Sequence, residues 1–309
     1  FLALSGFFFV GSLLRGAGDP TTPINPLPHL TRLARRLLPA LVVTVAATLL
    51  GTVLIKPQTQ WSAIFDEAVA SLLYFQNWKL ALTSQDYAAA DATISPMQHL
   101  WSMSVQGQFY VVTLAVVLGL SALWRLVIRR GTPKWFLVAV VAAGTAGSVW
   151  WGIRGQEINQ AWNYYDTGAR MWELLVGGLV AVLLAGIVLP WPLRWLTTVA
   201  GLALIVSCGF VIDGALHFPG PLAWYPIGGA LLIILGGNLP EGERLRPWRD
   251  PVAWILSGRL FRRLGDIAYS LYLWHWPLLI LWISYKRETG VSLTAGLTII
   301  GVSVVLALL

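Results

Sequence analysis

Cysteine is nearly absent: Cys208 is the only one in 309 residues. That excludes an intramolecular disulfide framework and any cysteine-built metal site. The four histidines are scattered without metal-ligand spacing, so no bound metal is expected. Charge is scarce as well. Charged residues make up 11% of the chain and hydrophobic ones 57%, whereas soluble domains carry about 25% charge. No Walker loop, dinucleotide fingerprint, zinc signature or G-x-S-x-G elbow is present. There is no internal repeat and no low-complexity tract.

What the chain does have is long apolar runs. Several reach the ~20 residues needed to cross a ~30 Å hydrocarbon core. Spans are expected at 1–14, 38–55, 99–124, 135–151, 170–188, 195–212, 222–238, 265–284 and 293–309. The first run ends at Arg15 and as a helix would reach only about 21 Å, too short for a bilayer. Residue 1 is Phe, with no basic leader or small-residue cleavage site behind it. The chain is therefore expected to begin within a helix, and Leu309 also falls inside an apolar run. The fold class read from this pattern is all-α, a polytopic transmembrane helical bundle. It has about nine spans in a single domain, 1–309, truncated at the N-terminus and also at the C-terminus.

Charge placement orients the bundle. Most Lys and Arg residues fall in alternate loops: Arg15 to Arg36, Arg125 to Lys134, Arg194, and Arg244 to Arg263. These loops are assigned to the cytoplasm. The net charge of +7 thus reads as topology, and no nucleic-acid partner is expected. A weaker apolar element at 64–80 cannot cross, because crossing would put residues 16–37 and 125–134 on opposite sides. It is expected to be re-entrant or interfacial.

Four stretches place polar chemistry in this apolar frame. In "QHLWSMSVQGQFYVV" (98–112), His99, Ser102, Gln106, Tyr110 and, just beyond, Thr113 share one helical face, with Ser104 and Gln108 on another. Unpaired polar groups in hydrocarbon cost several kcal/mol, so the larger face lines a cavity or forms a packing seam. In "WNYYDTGARMWELLVGG" (162–178), Arg170 and Glu173 are i, i+3 and can meet. They form either a fixed cation for a substrate oxygen or an interfacial ion pair. In "LGDIAYSLYLWHWPLLILW" (264–282), His275 sits mid-span on the face of Tyr272, and Pro277 removes the hydrogen bond to the Leu273 carbonyl. In "TRLARRLLPAL" (31–41), Arg32, Arg35 and Arg36 form an anion site or simply fix topology.

Together these stretches resemble acyltransferase family 3, the bacterial membrane O-acyltransferases that decorate cell-surface glycans. "FLALSGFFF" is similar to that family's S-G-F motif and "RLARRLLPAL" to its R-x-x-R-R-hydrophobic-P signature. "HLWSMSVQGQFY" resembles H-x-W-S-L-x-V-E-E-Q-F-Y, "RMWELLVGG" resembles R-x-W-E-L-x-x-G, and "GDIAYSLYLWHWPL" resembles G-x-x-S-Y-x-x-Y-L-W-H-W-P-L. The motifs occur in the family's order and cover essentially the whole chain. The family's E-E pair is Gln106 and Gly107 here, so carboxylate chemistry at those positions is lost. The family's catalytic histidine lies on a helix that would precede Phe1.

The resemblance implies transfer of an acyl group, usually acetyl, from cytoplasmic acyl-CoA to a hydroxyl of an extracytoplasmic carbohydrate. It places the protein in the bacterial inner membrane as a multi-pass protein. Arg32, Arg35 and Arg36 would hold the CoA phosphates. His99, Tyr165, Arg170, Glu173 and His275 are the expected catalytic set, with no metal. The competing class is a transporter or flippase of glycan precursors, which a polar-lined cavity suits equally well. No symmetry between halves supports it. An inactive fragment of the acyltransferase is the third reading.

Overall fold

The computed structural model describes residues 1–17, 26–83, 94–128, 132–212, 219–240, 242–287 and 290–308. Among them all regular structure is helical. In chain order the helices are α1 (Leu2–Ala17), α2 (Pro26–Ile55), α3 (Trp61–Leu72), α4 (Gln76–Leu82), α5 (Trp101–Ile128), α6 (Lys134–Ile158) and α7 (Gln160–Tyr165). They continue with α8 (Thr167–Leu183), α9 (Trp191–Val211), α10 (Trp224–Gly236), α11 (Pro251–Leu256), α12 (Arg259–Lys286) and α13 (Leu293–Leu308).

Five segments are long and apolar enough to cross a bilayer: Leu30–Ile55, Gln98–Ile128, Lys134–Ile158, Trp191–Val211 and Arg259–Lys286. Leu50, Leu54, Val111, Leu123 and Leu126 are exposed on them, while Thr44, Thr48, Thr52 and Gln106 are buried. That inside-out polarity is what lipid selects. The chain is an all-α polytopic membrane protein. The four other expected spans are the shorter helices α1, α8, α10 and α13, of 16, 17, 13 and 16 residues.

Residues 64–80 form no single span. They split between α3, of 12 residues, and α4, of 7. Tyr74 turns the chain between them at φ 60°. A 12-residue helix rises about 18 Å, too little for a crossing.

The chain divides into two compact units. The first holds Phe1–Ile24 and Gln106–Phe261. Here α1 lies against α8 at a distance only glycine permits. A Cβ on Gly6 would fall 1.8 Å from the Leu174 carbonyl oxygen, and one on Gly177 would fall 1.9 Å from that of Ala3. Helices without a solvent-driven hydrophobic force associate through such close backbone packing. Gly177→Ala is accordingly expected to destabilise the detergent-solubilised protein by about 1–3 kcal/mol. A thermal midpoint equal to wild type would contradict this packing. Ser148 ties α6 to α8: its hydroxyl donates to the Gly168 carbonyl at 2.5 Å and accepts the Trp172 amide at 2.8 Å.

The second unit holds Asn25–Val105 and Arg262–Leu309. Its core joins Leu41 and Val45 of α2, Ile64 and Ala68 of α3, Met97, Leu100 and Met103 near the start of α5, and Leu273 of α12. The Tyr269 hydroxyl donates to the Leu37 carbonyl at 2.9 Å, a further tie between α12 and α2.

Candidate functional site

His99 stands in a 3-10 turn, Gln98–Leu100, directly before α5. It is 2% exposed. Its imidazole packs among Tyr272, His275 and Trp276 of α12, with ring centroids at 5.2, 5.7 and 6.4 Å. The Tyr272 hydroxyl donates to the His99 carbonyl and meets Ser102 Oγ at 2.8 Å. The backbone of His99 is thus pinned to α12. Neither ring nitrogen has a partner at hydrogen-bond geometry among the described residues. The Leu273 and Pro96 carbonyls bear on the ring. Pro277, four residues beyond Leu273, has no N–H to occupy the first of these. His275 Nδ1 lies 3.3 Å from the Leu271 carbonyl, and its ring is 5.6 Å from that of Tyr272.

The polar face read from the sequence divides by role. All five members, His99, Ser102, Gln106, Tyr110 and Thr113, are buried. Gln106 Nε2 donates to Ser5 Oγ at 2.9 Å and also contacts the Tyr110 hydroxyl, stapling α5 to α1. Ser102 binds Tyr272. These are packing contacts. On the other face, Ser104 Oγ accepts the Gln76 amide at 3.1 Å, and Thr167 Oγ1 donates to Gln108 Oε1 at 2.5 Å.

The first unit builds a second polar cluster. Asn159 caps α7 by accepting the Trp162 amide at 3.0 Å, and Asp166 caps α8 by accepting the Gly168 amide at 2.9 Å. Those caps set the two short helices that carry Tyr164, Tyr165 and Arg170. Arg170 and Glu173 meet at 2.8 Å, as their spacing allows. Arg170 Nε donates to the Tyr164 carbonyl at 3.0 Å, and the guanidinium lies 4.5 Å from the centre of the Tyr164 ring. Tyr165 is 1% exposed and packs edge-on to Tyr164. Arg170 is therefore fixed on both its edge and its face, and its charge is balanced by Glu173.

Arg32, Arg35 and Arg36 are exposed on α2. With Pro28 and Thr31 they line an open depression of about 430 Å³. No carboxylate pairs with them among the described residues. Uncommitted guanidinium groups one turn apart fit a phosphorylated ligand. No group of three or more potential metal ligands occurs among the described residues.

Arg194 was legible in the sequence only as loop charge. The structure buries it with Asp250 and Glu243, which lie 56 and 49 residues away. Glu67 and Ser95 likewise carried no signal beyond a short polar patch at an element's edge.

Sequence comparison gives this helical membrane protein its relatives. A family model described as an acyltransferase domain, acyltransferase family 3, matches residues 1–309. The chain belongs to that family. It is similar to the O-acetyltransferase OatA of Staphylococcus aureus (strain NCTC 8325 / PS 47), 28% identical over 293 residues, 92% of this chain and 46% of OatA. The peptidoglycan O-acetyltransferase OatA of Listeria monocytogenes is 25% identical over 295 residues, 91% of this chain and 44% of that protein. BcsY of Komagataeibacter xylinus, named for a membrane-bound transacylase, is 30% identical over 280 residues, 90% of this chain and 64% of BcsY. The chain thus spans about half the length of the OatA proteins it matches. No solved structure matches it.

Proposed function

We propose that the protein is an O-acyltransferase of the bacterial cell membrane. It moves an acyl group, acetyl in the simplest case, from cytoplasmic acyl-CoA to a hydroxyl of an extracytoplasmic cell-envelope carbohydrate. The observation that carries this reading is the imidazole of His99, buried beside Tyr272, His275 and Trp276 in a chain of the acyltransferase family.

Acyl-CoA supplies an activated thioester carbonyl. Arg32, Arg35 and Arg36 bind its phosphates by charge-assisted hydrogen bonds. His99 hydrogen-bonds the carbonyl oxygen as negative charge develops there, with His275 and Tyr272 fixing the ring's packing. Arg170, held by Glu173, and Tyr165 are the donors of the other polar cluster, assigned to the acceptor sugar. The acceptor hydroxyl oxygen forms the ester bond as the carbon–sulfur bond breaks. Its proton is taken by a general base and passes to the departing thiol. No step is routed through a metal.

The test uses the full-length protein in proteoliposomes with acetyl-CoA and an envelope glycan fraction, with ester formation read by mass spectrometry. Arg35→Ala is expected to raise the KM for acetyl-CoA about tenfold, the loss of one charge-assisted contact, with kcat little changed. Glycan acylation that proceeds without acyl-CoA consumption, or an unchanged KM, would remove this donor site.

A further inference from the structure

The short segment Ile94–Gln98 delivers His99 to α12, and several elements hold it. Lys56, buried just past the end of α2, donates from Nζ to the Ile94 carbonyl at 3.0 Å. Trp276 Nε1 donates to the Ser95 carbonyl at 3.2 Å, and the Gln98 amide donates to the same oxygen at 3.2 Å. The Ser95 hydroxyl accepts the Met97 amide at 3.0 Å. Its own hydrogen bond goes to the carboxyl of Glu67 on α3.

Glu67 is only 3% exposed, and its Oε2 accepts Gln76 Nε2 at 2.8 Å. Lys79, the nearby cation, is paired at 3.2 Å with the exposed Asp66. Burial pushes the Glu67 carboxyl above the usual carboxylate range, while Ser95, Gln76 and Lys79 pull it back. A buried acid with no direct ion pair is costly. What it supplies is a carboxyl acceptor that fixes the rotation of one hydroxyl.

We propose that Glu67 is a positioning residue: through Ser95 it fixes the 94–98 turn and so orients the open imidazole of His99. This rests on the reading of His99 as the group that meets the reacting oxygen. With Glu67 in place, Ser95 keeps a lone pair on the Met97 amide and the turn keeps its shape. Without it the hydroxyl rotates and the ring shifts, and a displacement of about 1 Å costs on the order of 10²-fold in rate.

Two measurements on the full-length protein test this. In the acyl-transfer assay, Glu67→Ala and Ser95→Ala are expected to lower kcat about 10²-fold. KM for acetyl-CoA should stay within about twofold of wild type, because the arginine cluster is untouched. Glu67→Gln keeps one side-chain oxygen as an acceptor and should recover to within about tenfold of wild type. The second measurement needs no activity. In a Cys208→Ala, His99→Cys background, Glu67→Ala should speed maleimide labelling at position 99 about tenfold through local opening, and Glu67→Gln should not. Wild-type kcat in both alanine variants, or labelling indifferent to Glu67, overturns the proposal. A wild-type protein that transfers no acyl group defeats the activity reading instead, and the labelling result then decides whether Glu67 governs His99.

Discussion

Replacing His99 with alanine in the full-length protein is expected to lower acyl transfer about 10²–10³-fold, the usual cost of deleting one donor to a developing oxyanion. The folded state should tolerate the change. The links from this turn to α12 through the His99 carbonyl, Ser102 and the Ser95 carbonyl do not involve the imidazole. What remains is a cavity where the ring stood, a cost of about 2–4 kcal/mol in a buried site, visible as a lower thermal midpoint. The loss should appear in kcat, with KM for the acyl donor preserved. His99→Gln tests the chemistry separately from the volume, because its amide can still donate. It should retain more activity than alanine. Equal turnover in wild type and His99→Ala would leave the second polar cluster, Arg170 and Tyr165, as the oxyanion site.

The second large effect concerns stability. Asp250→Ala is expected to destabilise the protein by about 3 kcal/mol, the lower end of the range for breaking a buried ion pair. Arg194 Nε donates to Asp250 Oδ1 at 3.1 Å, Nη2 lies 3.5 Å from Oδ2, and Nη1 donates to Glu243 Oε2 at 3.1 Å. Both Arg194 and Asp250 have side chains 2% exposed. Alanine at 250 strands a covered guanidinium with only Glu243, 27% exposed, as its partner. The lower end applies because the pair lies near the protein's periphery, where relaxation and water soften the penalty. The double variant Arg194→Met, Asp250→Leu should recover most of the loss, because it removes both charges together. Thermal unfolding in detergent measures both. A double variant no better than the single would mean the contact acts through packing instead.

The same cluster gives a pH dependence of known sign. The hydrogen bond from Arg194 holds the Glu243 carboxyl below its ordinary value against an opposing desolvation, with the charges of Arg194, Arg249 and Arg246 helping to lower it. A depressed carboxylate stabilises the fold at pH values above its unfolded value of about 4.3. That contribution is lost as the pH falls through the lower, folded value. Glu243→Gln should therefore flatten the thermal midpoint on the acid side and leave the neutral region's slope unchanged.

Much of this protein was legible in one dimension. The scarcity of charge and the length of the apolar runs require helices in lipid, since no other open chain satisfies its backbone there. The i, i+3 spacing of Arg170 and Glu173 was enough to predict their meeting, because a helix makes near neighbours local. The motif order led to the acyltransferase family. The short element at 64–80 was read as unable to cross from charge placement, and its break at Tyr74 gives the same answer in geometry.

The rest is decided by contacts between distant residues. Sequence placed His99 and Gln106 on one helical face. Only the fold separates them, committing Gln106 to Ser5 on α1 and leaving the imidazole of His99 open beside α12. Arg194 read as one more loop cation until the chain returned 56 residues later to supply Asp250. Nothing in the sequence paired Glu67 with Ser95, and the fold alone brings them together. Periodicity reports which face a side chain takes, because that follows from 100° per residue. Which partner waits on that face depends on how the helices pack, and no local pattern encodes it.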